Sequence, residues 1–135
     1  PTAIGKDLNG SIGTVPGTDS PGATKFNDIA EANNFKAGPY TKESYDSAAL
    51  IMLAMQAANS TNSNDFKSKV MDVANAPGEK IFPGELAKGL KLLSEGKEID
   101  YVGASAVELI GGGESAGNFA EILIDNQKVT TVGYK

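Results

Sequence analysis

Cysteine, histidine and arginine are all missing from the 135 residues. Without thiol or imidazole there is no Cys–His pair, no Ser–His–Asp triad and no zinc site built from thiolates and imidazoles, because the required bases and ligands do not exist. The lack of cysteine leaves the redox compartment open, since a cysteine-free chain folds equally well in a cytosol or in an oxidising periplasm. Without arginine the cations are twelve lysines, scattered among seventeen acids for a net charge of −5 and a pI near 4.7. A surface that tracks phosphates needs clustered cations and usually guanidinium forks, so nucleic acid is not expected as a partner. Long apolar runs are missing too. The longest, Ala48 to Met55, is far too short to span a bilayer, and Pro1 to Gly13 has neither the basic nor the apolar segment of a signal peptide. A start at Pro1 in place of Met leads to the expectation that upstream sequence was removed.

What remains is a globular composition. Hydrophobic residues make up 40% and charged residues 21%, with Leu, Ile, Val and Phe spread along the chain, and the length suits a single unit with an ordinary core. Asn9-Gly10 is a turn dipeptide, and Ser11 to Val15 alternates before Pro16, which predicts a short strand. Thr18-Asp19-Ser20-Pro21 supplies a capping side chain ahead of a proline suited to a first helical turn. Phe26, Ile29 and Ala30 then share a face, giving an amphipathic helix over about 21 to 33.

The stretch Lys42 to Asn59 carries no helix breaker and is apolar around nearly its whole circumference, which predicts a long helix covered on most sides. Phe66, Val70 and Val73 recur at i, i+4 and i+7, the mark of a third helix ended by Pro77-Gly78. A fourth follows Pro83, with Phe82 and Leu86 read as a hydrophobic staple, Leu86, Leu90 and Leu93 on one face, and Gly96 as its stop. The period then changes. Ile99 to Val102, Ala106 to Ile110, Ala120 to Ile124 and Val129 to Val132 read as strands, reversed at Gly111-Gly112-Gly113 and at Asp125 to Lys128. The predicted class is therefore α/β, ordered as a strand, four helices and late strands.

Little in this pattern suggests catalysis. Glu43 and Asp46 stand at i, i+3 near a helix start, where acids favour the positive end of the dipole, so both are read as solvated capping groups. Gly103-Ala104-Ser105-Ala106-Val107 lacks the second glycine of a nucleophile elbow, and no histidine exists to activate Ser105. Gly111-Gly112-Gly113 is followed by no Gly-Lys-Ser/Thr and lies between strands, so it is a hairpin turn and not a phosphate cradle. Neither Asp19 nor Asp125 sits in the oxygen-rich spacing of a calcium loop. No metal, no cofactor and no enzymatic activity are expected.

Several segments taken in order resemble one family: Gly10 to Thr14; Gly38-Pro39-Tyr40 through Ser44-Tyr45-Asp46-Ser47-Ala48-Ala49-Leu50; Phe82-Pro83-Gly84-Glu85-Leu86 through Ile99-Asp100-Tyr101-Val102-Gly103-Ala104-Ser105; and the closing Ala120-Glu121-Ile122. Their order and spacing resemble the C-terminal portion of type 1 periplasmic solute-binding proteins of ABC transporters, the branched-chain amino-acid-binding family. In that family two α/β lobes close on a ligand and the chain crosses between them three times. The resemblance implies that residues from about 10 to 119 form the later part of the first lobe and that about 120 to 135 is a strand returning toward the second. It implies that most recognition residues lie upstream of anything present here. It also implies a periplasmic, non-catalytic protein that delivers small amino acids or related solutes to permease subunits.

One site residue comes with the resemblance, and a second candidate lies beside it. An aromatic just before the long helix packs against the ligand in relatives, and spacing to the Tyr45-Asp46 pair puts it at Tyr40; the plain alternative is a core aromatic at the helix start. Tyr45 is the second candidate, although its spacing to Ala48, Ala49 and Met52 also explains it as core. Leu109 to Glu114 departs from the family, where an aromatic-Asp turn precedes Gly-Asp, and a looser turn is expected there. The rival reading is an autonomous structural module, or a strand-exchanged homo-oligomer, that holds no small molecule.

Overall fold

The computed structural model describes residues 1–135, which divide into two compact units. The larger is Ser20–Ala116; the smaller is assembled from both ends of the chain, Pro1–Asp19 with Gly117–Lys135. The class is mixed α/β, as the sequence implies.

In the larger unit the first two helices form where their signals predict. Helix α1, Pro21–Ala32, is capped by the Ser20 hydroxyl, which accepts from the Ala23 N–H at 3.2 Å, and Pro21 occupies its first turn. Helix α2, Thr41–Ala58, buries Asp46, Ala49, Leu50, Leu53 and Ala54 along one stripe. It is not covered on most sides, however. The helices at Lys69–Ala74 and Leu86–Ser94 pack on one side only, leaving Ile51 and Met52 exposed. Apolar residues all round a helix thus overstate its burial when its neighbours share one flank.

The third predicted helix appears as two short ones, α3 (Ser63–Phe66) and α4 (Lys69–Ala74). Lys67 and Ser68 keep right-handed helical angles but interrupt the ladder. Strand β2, Glu79–Ile81, follows. Its single apolar residue gave no alternation to read, and it exists through parallel pairing with β3, Ile99–Tyr101. Helix α5, Leu86–Ser94, joins them. At its start Glu85 occupies the cap position, and its carboxylate accepts from the Phe82 N–H at 3.0 Å. Leu86, Leu90 and Leu93 pack against the core formed by Leu50, Leu53, Val73, Ile81, Ile99 and Tyr101. The strand predicted from Ala106 begins only at β4, Leu109–Gly111, because Ala106 takes a positive φ of 56° inside a turn. Gly112 and Gly113 reverse the chain into β5, Glu114–Ser115.

The smaller unit is a three-stranded antiparallel sheet ordered β1 (Ile12–Pro16), β6 (Phe119–Asp125), β7 (Lys128–Tyr134), with a short 3₁₀ turn at Gly5–Leu8. Asn126 and Gln127 both take positive φ, the geometry a two-residue hairpin demands. Ala120 is the one buried residue of this unit, and Ile12, Val129, Val132 and Tyr134 are exposed on its strands.

Candidate functional site

Chemistry-bearing side chains concentrate where α2 begins. Tyr40 immediately precedes the helix with φ 61° and ψ 10°, a left-handed conformation that costs a non-glycine residue about 1–2 kcal/mol. Local bonds fix it there. The Ser44 hydroxyl donates to the Tyr40 carbonyl at 2.9 Å, and the Thr41 hydroxyl both accepts from the Gly38 N–H at 2.9 Å and donates to the Gly38 carbonyl at 2.8 Å. The Tyr40 ring is 62% exposed, so it is not a core aromatic. An exposed aromatic on strained backbone is the kind of feature that persists at binding sites.

Tyr45, one turn further on, is half-buried. Its ring meets Phe26 of α1 edge-on, centroids 5.3 Å apart, and its hydroxyl accepts from the Gly84 N–H at 3.1 Å. Phe26, Ile29, Phe35, Thr41 and Tyr45 wall an apolar hollow of about 600 Å³. Tyr40 does not line it, so the two predicted site residues share the helix start but not one cavity. Tyr45 serves as core on its Phe26 side and as cavity wall on the other.

Asp46 overturns the sequence expectation. It is not a solvated capping acid but 2% exposed, the one charged side chain in the interior. Both oxygens are saturated. Oδ1 accepts from the Tyr101 hydroxyl at 2.9 Å and the Ala104 N–H at 2.8 Å; Oδ2 accepts from the Ser105 N–H at 2.7 Å and the Ser105 hydroxyl at 2.6 Å. Burial, together with the Asp46 charge and the bond to it, pushes the Tyr101 phenol well above its ordinary value of 10. This shell ties the first turns of α2 to the turn after β3. No local pattern signals it, because the partners lie 55 to 59 positions away; the one sequence feature that fits is the small-residue run Gly103-Ala104-Ser105, which brings backbone N–H groups close. No group of three or more acids converges in a way that could hold a metal ion.

Comparison with known proteins gives one partial likeness. Over 67 residues, 50% of this chain, the sequence is 30% identical to the chemotactic signal transduction system substrate-binding protein BasB of Halobacterium salinarum. That stretch covers 16% of the halobacterial protein, so the chain corresponds to a small part of it. No family model matches, and no solved structure matches. The likeness therefore points toward a binding protein.

Proposed function

We propose that this chain is the C-terminal part of a non-catalytic solute-binding protein of the two-lobed periplasmic type. The observation that carries the reading is Tyr40, whose exposed ring is held at positive φ at the position where the resemblance puts a ligand contact. The partial likeness to a substrate-binding protein agrees with it. In this reading the solute is a branched-chain amino acid or a related small molecule, the compartment is the periplasm, and the partners are permease subunits of an ABC transporter. Solute would bridge the two lobes and stabilise the closed state that the transporter recognises.

Titration with leucine, isoleucine, valine and a wider amino-acid panel, followed by NMR of the full chain, tests the reading. A site with one wall should give weak, millimolar-range shifts centred on Tyr40 that disappear in Y40A. Submicromolar binding by the chain alone would overturn the claim that most recognition residues lie elsewhere. No shift at Tyr40 with any solute would remove it as a ligand contact.

A second reading is favoured by the smaller unit. Strands β1 and β7 both have free edges, and Val129, Val132 and Tyr134 are exposed on β7. Such edges template further strand pairing, which makes a strand-exchanged homo-oligomer the alternative. Sedimentation across a concentration series separates the two, since a monomer at all concentrations rejects the oligomer.

A further inference from the structure

We propose that the Val102–Ala106 turn is a carboxylate-binding nest, that the Asp46 side chain is its resident ligand, and that occupancy of the nest decides whether the start of α2 is held in place. The turn is built for an anion. Gly103 takes φ 62° and Ala106 φ 56°, and the Val107 N–H closes the turn on the Val102 carbonyl at 2.8 Å. Between them the successive N–H groups of Ala104 and Ser105 point to one spot, at 2.8 and 2.7 Å from the two Asp46 oxygens. Converging backbone N–H groups in a turn of this kind form an anion-binding concavity. The hydroxyls of Tyr101 and Ser105 complete the shell at 2.9 and 2.6 Å.

Three further observations separate a built site from a chance contact. A Cβ on Gly103 would run into Asp46 Oδ1 and the Tyr101 ring, so only glycine lets the carboxylate seat. Asp46 is 2% exposed yet forms none of the chain's ion pairs, which all lie at the surface. Its charge is met by hydrogen-bond donors, the way a protein binds a free carboxylate. Finally, Asp46 adjoins Tyr45 and stands six positions after Tyr40, so the nest anchors the helix end that carries both tyrosines. The proposal is independent of the solute-binding reading and stands on this chain alone.

Amide hydrogen exchange in the full chain tests it, with D46A, D46N and wild type compared in formate and in chloride. In D46A the Ala104 and Ser105 amides and the residues from 44 to 49 should exchange at least about tenfold faster than in wild type. Sodium formate at roughly 100 mM should restore much of that protection by filling the vacated nest, whereas sodium chloride at equal ionic strength should not. D46N should leave one of the Ala104 and Ser105 amides unprotected in either salt, because its side chain fills the space and its NH2 must face one of these two N–H groups. If D46A fails to fold in chloride, recovery of helical circular dichroism by formate becomes the readout. Formate acting no better than chloride, or D46N protected like wild type, would overturn the proposal.

Discussion

The hydroxyl of Tyr101 donates to Oδ1 of Asp46 at 2.9 Å, linking the end of β3 to the start of α2 across 55 positions of sequence, with both side chains out of solvent. Y101F removes this donor and leaves the carboxylate three others. A loss of about 1.5–2 kcal/mol in urea unfolding is expected, within the usual range for a bond to a charged acceptor. The phenol also sets an alkaline limit. Its folded pKa lies above the unfolded value of 10, so its contribution is intact below pH 10 and is lost as pH rises further, when the unfolded chain releases a proton that the folded one retains. Unfolding midpoints from pH 8 to 11 should fall more steeply in wild type than in Y101F. Equal slopes would place the alkaline sensitivity elsewhere.

Tyr40 should display a trade between stability and binding. Replacing it with glycine relieves the left-handed backbone and removes a ring that is largely in water. Y40G is expected to raise stability by about 0.5–1 kcal/mol, the relief being partly offset by the greater freedom of glycine in the unfolded chain. Amino-acid-induced shifts at the start of α2 should vanish in the same variant. A thermal scan beside the titration checks both, and a destabilised Y40G would show that the ring contributes packing.

Gly22 marks where α1 presses on the turn after β3. A Cβ there would overlap the Gly103 carbonyl, which is backbone and cannot swing aside. G22A should therefore cost at least about 2 kcal/mol in spite of alanine's better helix propensity. Chemical denaturation measures this directly, and a neutral or stabilising result would mean that α1 shifts freely along its neighbour.

Asn75 clasps β4 as a second strand would. Its side chain donates to the Leu109 carbonyl at 2.7 Å and accepts from the Leu109 N–H at 3.0 Å. N75A should destabilise by about 2 kcal/mol, as both half-buried backbone groups lose their partner. N75D should fare no better, since a carboxylate faces the Leu109 carbonyl with no proton to give. Exchange at the Leu109 amide gives the local readout.

The helices were legible because their signals are local. Ser20-Pro21 starts α1, and an unbroken run from Lys42 to Asn59 yields α2 to within one residue at each end. The glycine reversal before β5 was legible for the same reason. Long-range features were not. Glu79-Lys80-Ile81 becomes a strand only by pairing with Ile99–Tyr101, and Ala106 leaves the extended state because its turn wraps a carboxylate from another element. Asp46 is the sharpest case. An acid in the first turns of a helix has a sufficient local explanation, and the donors that draw it inward sit more than fifty positions along the chain. At the site, the resemblance pointed to Tyr40, with Tyr45 as a neighbouring candidate, but Phe26 and the hollow it shares with Tyr45 appear only once α1 and α2 meet.

The pairing of Pro16 with Phe119 at the end of β1 and β6 has a kinetic side. In the unfolded chain that contact closes a loop of roughly 100 residues, and its entropic cost must be met before any strand bond repays it. Once Ser20–Ala116 has condensed through its own short-range contacts, the loop has little freedom left to lose. The terminal sheet should accordingly form after the larger unit during refolding, and it should be the first part to open when the protein is warmed.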